Sequence, residues 1–113
     1  MTLRQLLLPY ASALLLAALG PCLSHAEAAS QAATIVMAKD FMFAPTSLTV
    51  ASGSTVTWTN RDDEAHTVVS DTGLFRSGAL DTNEQFSFRF EKPGTYHYAC
   101  SIHPRMTGTI IVR

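Results

Sequence analysis

From Ala33 to Val112 the chain is a succession of short runs in which apolar and polar side chains alternate, cut by Gly, Pro, Asn and Asp. A period of two puts alternate side chains on opposite faces of a strand, and no amphipathic helix of useful length interrupts the pattern. The expected strands are Thr34 to Ala38, Ser47 to Val50, Thr55 to Asn60, Thr67 to Ser70, Gln85 to Phe90, Thr95 to Ala99 and Gly108 to Val112. Turn chemistry falls between them at Ala44-Pro45, Ser52-Gly53, Arg61-Asp62-Asp63-Glu64, Asp71-Thr72-Gly73 and Lys92-Pro93-Gly94.

The alternation also names the inward face. Val56 and Trp58 alternate with Thr55, Thr57 and Thr59, and Phe86, Phe88 and Phe90 alternate with Gln85, Ser87 and Arg89. Short strands with one apolar face predict an all-β domain, a two-sheet antiparallel Greek-key β-sandwich with these aromatics as its core. In Thr95 to Cys100, residues 96, 98 and 100 share a face, so Cys100 points with Tyr96 and Tyr98 while His97 points away. His97 is therefore expected on the surface, apart from any site that includes Cys100.

The first 26 residues read differently. Arg4 precedes Leu6 to Leu19, an apolar Ala/Leu-rich run, and Ser24-His25-Ala26 offers a small-x-small cleavage point, with Ala26-Glu27-Ala28 as a later one. This predicts a cleaved signal peptide over 1–26 and a single domain over 27–113, exported by the general secretory route to the periplasm. The alternative of a membrane anchor needs about 20 apolar residues, more than this run supplies. Lipidation at Cys22 is a second alternative, poorly served by the adjacent Pro21.

Charge adds an exclusion: a formal net charge of −1 gives no electrostatic case for nucleic acid. A domain of this size commonly needs a disulfide or a metal to supplement its core. Of the two cysteines, only Cys100 lies beyond residue 26, so no internal disulfide is available to the predicted mature domain. A free thiol in an oxidising compartment calls for another use.

That use is suggested by Cys100-Ser101-Ile102-His103-Pro104-Arg105-Met106, which sets a thiol, an imidazole and a thioether three residues apart. Pro104 steers His103 out of the helical region, so the three donors are expected on a turn rather than on one face of a helix. His66 is the other histidine available, at the edge of a loop that a sandwich can bring to the same end. Two imidazoles, one thiolate and a weak thioether, His66, His103, Cys100 and Met106, match the donor set of a blue-copper electron-transfer site. Zinc accepts the same thiolate and imidazoles, but a thioether in fourth place suits neither its structural nor its catalytic sites. A nucleophilic-cysteine enzyme is the alternative from another class. It lacks an orienting third group and an oxyanion loop, and leaves Met106 unexplained.

The stretch from Thr34 to Val112 resembles the cupredoxins, most of all the group of amicyanin, plastocyanin and pseudoazurin. The resemblance is carried by DFMFAP, SGSTVTWTN, EAHTVVS and PGTYHYACSIHPRMTGTIIV in that order, with the Cys-x-x-His-x-x-Met spacing most like amicyanin. It implies His66, Cys100 and His103 as strong ligands of one type 1 copper ion and Met106 as the axial one, with Asn60 and Thr67 bracing the ligand loops, tuning the thiolate and fixing the His66 ring. It implies a small soluble monomer, not an enzyme, carrying electrons between transient partners such as a donor dehydrogenase and a c-type cytochrome, without stable membrane insertion. Electrons would leave by the exposed edge of His103, within an apolar patch of Pro104, Phe41, Met42, Ala65 and Leu74, with Arg105 and Glu64 nearby. Departure of His103 from reduced copper at low pH is a further implication. A periplasmic copper carrier or buffer is the second function class. No second histidine cluster exists for a catalytic copper, which argues against an oxidase or nitrite reductase.

Overall fold

A computed structural model describes residues 34–113 and, outside them, Gly20 alone. The predicted signal peptide, apart from Gly20, its cleavage point and Cys22 lie outside the described residues. Eight strands follow one another: β1 Thr34–Lys39, β2 Met42–Ala44, β3 Ser47–Val50, β4 Ser54–Asn60, β5 Val69–Ser70, β6 Gln85–Phe90, β7 Gly94–Ala99 and β8 Thr107–Val112. They form two four-stranded sheets, β2-β1-β4-β6 and β3-β8-β7-β5. The expected all-β sandwich is present.

Two details differ from the sequence reading. Each sheet is mixed rather than wholly antiparallel, because β1 runs parallel to β4 and β3 parallel to β8. β1 leads through a tight turn into β2 at the edge of its own sheet, and β3, next along the chain, pairs in the opposite sheet; parallel neighbours arise from that crossing. β2 is too short to show alternation, and Thr67 and Val68 lie outside β5 because their loop turns toward Cys100.

Trp58 joins the two inner faces. It is fully buried, and its ring lies 5.6 Å from Phe75, 5.8 Å from Phe86 and 5.4 Å, edge-on, from Tyr98 of the opposite sheet. Val36, Val56, Phe90, Ile110 and Val112 complete the centre, and Phe86 and Phe88 pack against it half-buried. Burial of each such side chain contributes about 1.5–3 kcal/mol, which for a domain this small leaves little to spare. Gly108 is required by this packing: a Cβ there would come within 2.2 Å of the Tyr98 ring, its cross-strand partner.

The ends of β1, β4 and β7 and the start of β8 gather at one end of the sandwich. β1 and β4 are in parallel register up to Ala38 and Asn60, and β7 meets β8 at Ala99 and Thr107. The loops leaving these strands hold every donor named from the sequence.

Candidate metal centre

Cys100 is the first residue past β7 and keeps the inward parity of Tyr98, so it is buried while His97 is exposed and pairs with Thr109 on the outer face. Residues 101–105 form a turn, not a helix, as Pro104 predicts. Its two closing bonds are Cys100 N–H to the Met106 carbonyl and Met106 N–H to the His103 carbonyl, each 2.9 Å. Those bonds fold Cys100, His103 and the buried Met106 into one loop.

His66 arrives from the loop after β4. A two-way backbone bridge to Leu80 fixes its main chain, and Asn60 holds the loop beneath it. The Asn60 amide donates to the carbonyls of Glu64 and Leu80 at 2.7 and 2.8 Å, and its oxygen accepts from the Asp62 amide at 2.9 Å. The imidazole, fully buried, turns Nδ1 to Cys100 Sγ at 3.9 Å. His103 Nδ1 approaches the same sulfur at 3.8 Å, and the donor atoms of His66, Cys100 and His103 all lie within 4.8 Å of one another.

Thr67 acts on the sulfur rather than on the His66 ring. Its amide and hydroxyl face Cys100 Sγ at 3.4 and 3.8 Å, and its hydroxyl oxygen accepts from the Ser101 amide at 2.7 Å, tying the two loops together. The ring itself is fixed by Asp62, which sequence reasoning missed: His66 Nε2 lies 2.7 Å from the carboxylate. The signal was a carboxylate four residues before the histidine, hidden in a run of charges that reads as an ordinary turn.

Burial pushes the Cys100 thiol up, but the Thr67 amide, then the His103 and Ile102 amides and the His103 ring, together bring it down to about 6. Asp62 follows the same logic: burial raises it, and the Phe41 amide, the His66 ring and the Asp40 amide outweigh that and hold it below the ordinary carboxylate value. A thiol at about 6 when folded and 9.0 when free stabilises the metal-free protein fully above pH 9, and loses that contribution as pH falls through 6. Thermal melts of metal-free protein are expected to show Tm falling across that window, with the slope reduced in Cys100→Ser. An equal slope in both proteins would assign the dependence to other groups.

Of the two imidazoles of the site, only that of His103 reaches the surface. The His103 side chain keeps 29% of its exposure against 1% for His66. Around it lie Phe41, Ile102, Pro104 and Arg105, with Phe41 and Ile102 about half exposed. Phe41 stands edge-on to both rings, centroids 5.0 Å from His103 and 5.4 Å from His66. Glu64 approaches His103 Nε2 to 3.5 Å. Leu74, expected in this rim, instead lines a separate hollow with Phe88, Phe90 and Tyr96, because the turn at 71–74 folds over β6 and β7. Ile102, unremarked in the sequence, takes part in its place.

The arrangement suits a soft or borderline cation: a thiolate at neutral pH and two ring nitrogens converge on one small space, with Met106 buried in the same loop. Cys100, the thiol of this cluster, is sealed from solvent.

The model of the Cupredoxin-like domain matches residues 11–112. Amicyanin-alpha of Methylorubrum extorquens is 33% identical over 100 residues, spanning 80% of each chain. A purple cupredoxin from Nitrosopumilus maritimus superimposes with a TM-score of 0.67 at 32% identity, covering 71% of this chain and 99% of that one. An amicyanin variant solved with Cu(I) gives 0.69 at 29% identity, over 72% and 82% of the two chains.

Proposed function

Because this chain belongs to the cupredoxin-like family, we propose that it is a small periplasmic electron carrier holding one type 1 copper ion through His66, Cys100, His103 and Met106. Bound copper supplies a one-electron couple between Cu(II) and Cu(I). The protein's part is to keep the donors fixed: Thr67 and Ser101 clasp the loops, and Asn60 anchors the loop of His66. Donors that do not move between oxidation states leave little rearrangement to oppose transfer. The carrying observation is the contrast in exposure, two sealed strong donors and one imidazole edge at an apolar surface.

His103 is then the exit, and Phe41, Ile102 and Pro104 form the contact surface of a brief encounter. Redox encounters bury under about 1,200 Å², favouring fast release. Glu64 and Arg105 at its rim select the partner by charge. The partners that fit are a donor dehydrogenase and a c-type cytochrome, met by a monomer. No helix among the described residues is long and apolar enough to cross a membrane.

The competing role, a copper carrier, calls for accessible donors that pass the ion on. Mixing reduced, copper-loaded protein with an oxidised c-type cytochrome and a thiol chelator separates the two. Rapid cytochrome reduction with copper retained after gel filtration is expected. Copper transfer to the chelator faster than electron transfer would favour the carrier.

A further inference from the structure

Asp62 lies two residues past β4, 6% exposed, with donors on every polar side. Its Oδ1 accepts from the Asp40 amide at 2.7 Å and faces Lys39 Nζ at 3.9 Å. Its Oδ2 accepts from the Phe41 amide at 3.0 Å and meets His66 Nε2 at 2.7 Å. Asp40 and Phe41 both adopt left-handed backbone, φ 54° and 58°, which two consecutive non-glycine residues rarely do. In that conformation their successive amides converge on one anion, the geometry of a backbone anion nest.

We propose that Asp62 is a positioning residue that sets both imidazoles from within the protein. An ionised carboxylate only accepts hydrogen bonds, so the proton between Asp62 and His66 resides on Nε2, and in the neutral ring the lone pair is then on Nδ1, the nitrogen turned to Cys100. The ring tautomer is thereby chosen before a metal arrives. The same carboxylate holds the 40–41 turn that lays Phe41 edge-on to His66 and His103. A charged acceptor also makes the imidazole a stronger donor than a neutral one would, which favours the more positive state of a bound metal. This last consequence rests on the copper reading; the tautomer and the turn do not.

Nitrogen-15 NMR of the metal-free full chain tests the first part. His66 is expected as a single Nε2–H tautomer with a slowly exchanging ring proton. Asp62→Asn keeps one acceptor oxygen for donors on both sides, so that proton should exchange faster. The Phe41 ring-current shifts on His103 should shrink as the turn loosens. On copper loading, Asp62→Asn should have a higher reduction potential than the parent, and Asp62→Glu, which retains the charge, a smaller rise. A mixed or Nδ1–H tautomer in the parent, a metal-free chain without a folded spectrum, or an unchanged ring proton and potential in Asp62→Asn would each overturn the proposal. Copper-loaded protein without a thiolate band, alongside the expected tautomer, would remove the copper reading and leave this one standing.

Discussion

Cys100→Ser is expected to abolish the visible absorption of the copper-loaded protein and its reversible one-electron couple. The serine hydroxyl is close in size to the thiol and still accepts from the Thr67 amide, so the fold should survive. What disappears is the proposed ligand. A hydroxyl is not ionised at neutral pH, whereas the donors around this site hold the thiol at about 6. Loss of a supporting partner alone costs roughly 10–100-fold in metal affinity, and removal of the thiolate itself should exceed that. Copper titration followed by absorbance and circular dichroism checks both halves. A variant that keeps the parent's visible band would place the sulfur outside the metal's coordination.

The second large effect is on Asn60, fully buried between the sandwich and the His66 loop. Asn60→Ala leaves two carbonyls, of Glu64 and Leu80, and the Asp62 amide without their side-chain partner. Each buried group so orphaned costs about 1–3 kcal/mol. Because Leu80 also takes the His66 amide and the loop can relax, a total of about 3 kcal/mol is expected. Denaturant unfolding of metal-free protein measures it. Copper affinity should fall as well, since the displaced segment carries Asp62 and His66 together. A loss below about 0.5 kcal/mol, the range of ordinary surface substitutions, would show that the loop holds without this anchor.

Much of the architecture was legible because strand parity is a strict rule. Val56 and Trp58 are fully buried, Tyr98 and Cys100 share their inward face, and His97 lies outside, all as a period of two requires. Pro104 was equally direct, excluding a helix in the ligand loop. What escaped was settled by contacts distant in sequence. Parallel pairing of β1 with β4 depends on how the chain crosses, which no local pattern records. Ile102 stands at the His103 rim where Leu74 was expected, because loop direction, not hydrophobicity, decides which apolar side chain reaches it. Asp62 looked like one charge among four in a turn. Its role comes from amides at Asp40 and Phe41, over twenty residues earlier, and no spacing rule links those positions.

The likeness to cupredoxins and the converging donors together make one claim central: Cys100 binds copper as a thiolate between His66 and His103. A visible spectrum of the Cu(II)-loaded protein tests it most directly. Intense charge-transfer absorption near about 600 nm is the expected result, because a thiolate bound to Cu(II) in a type 1 site would produce it. A weakly coloured Cu(II) form, with copper bound but no such band, would contradict the account.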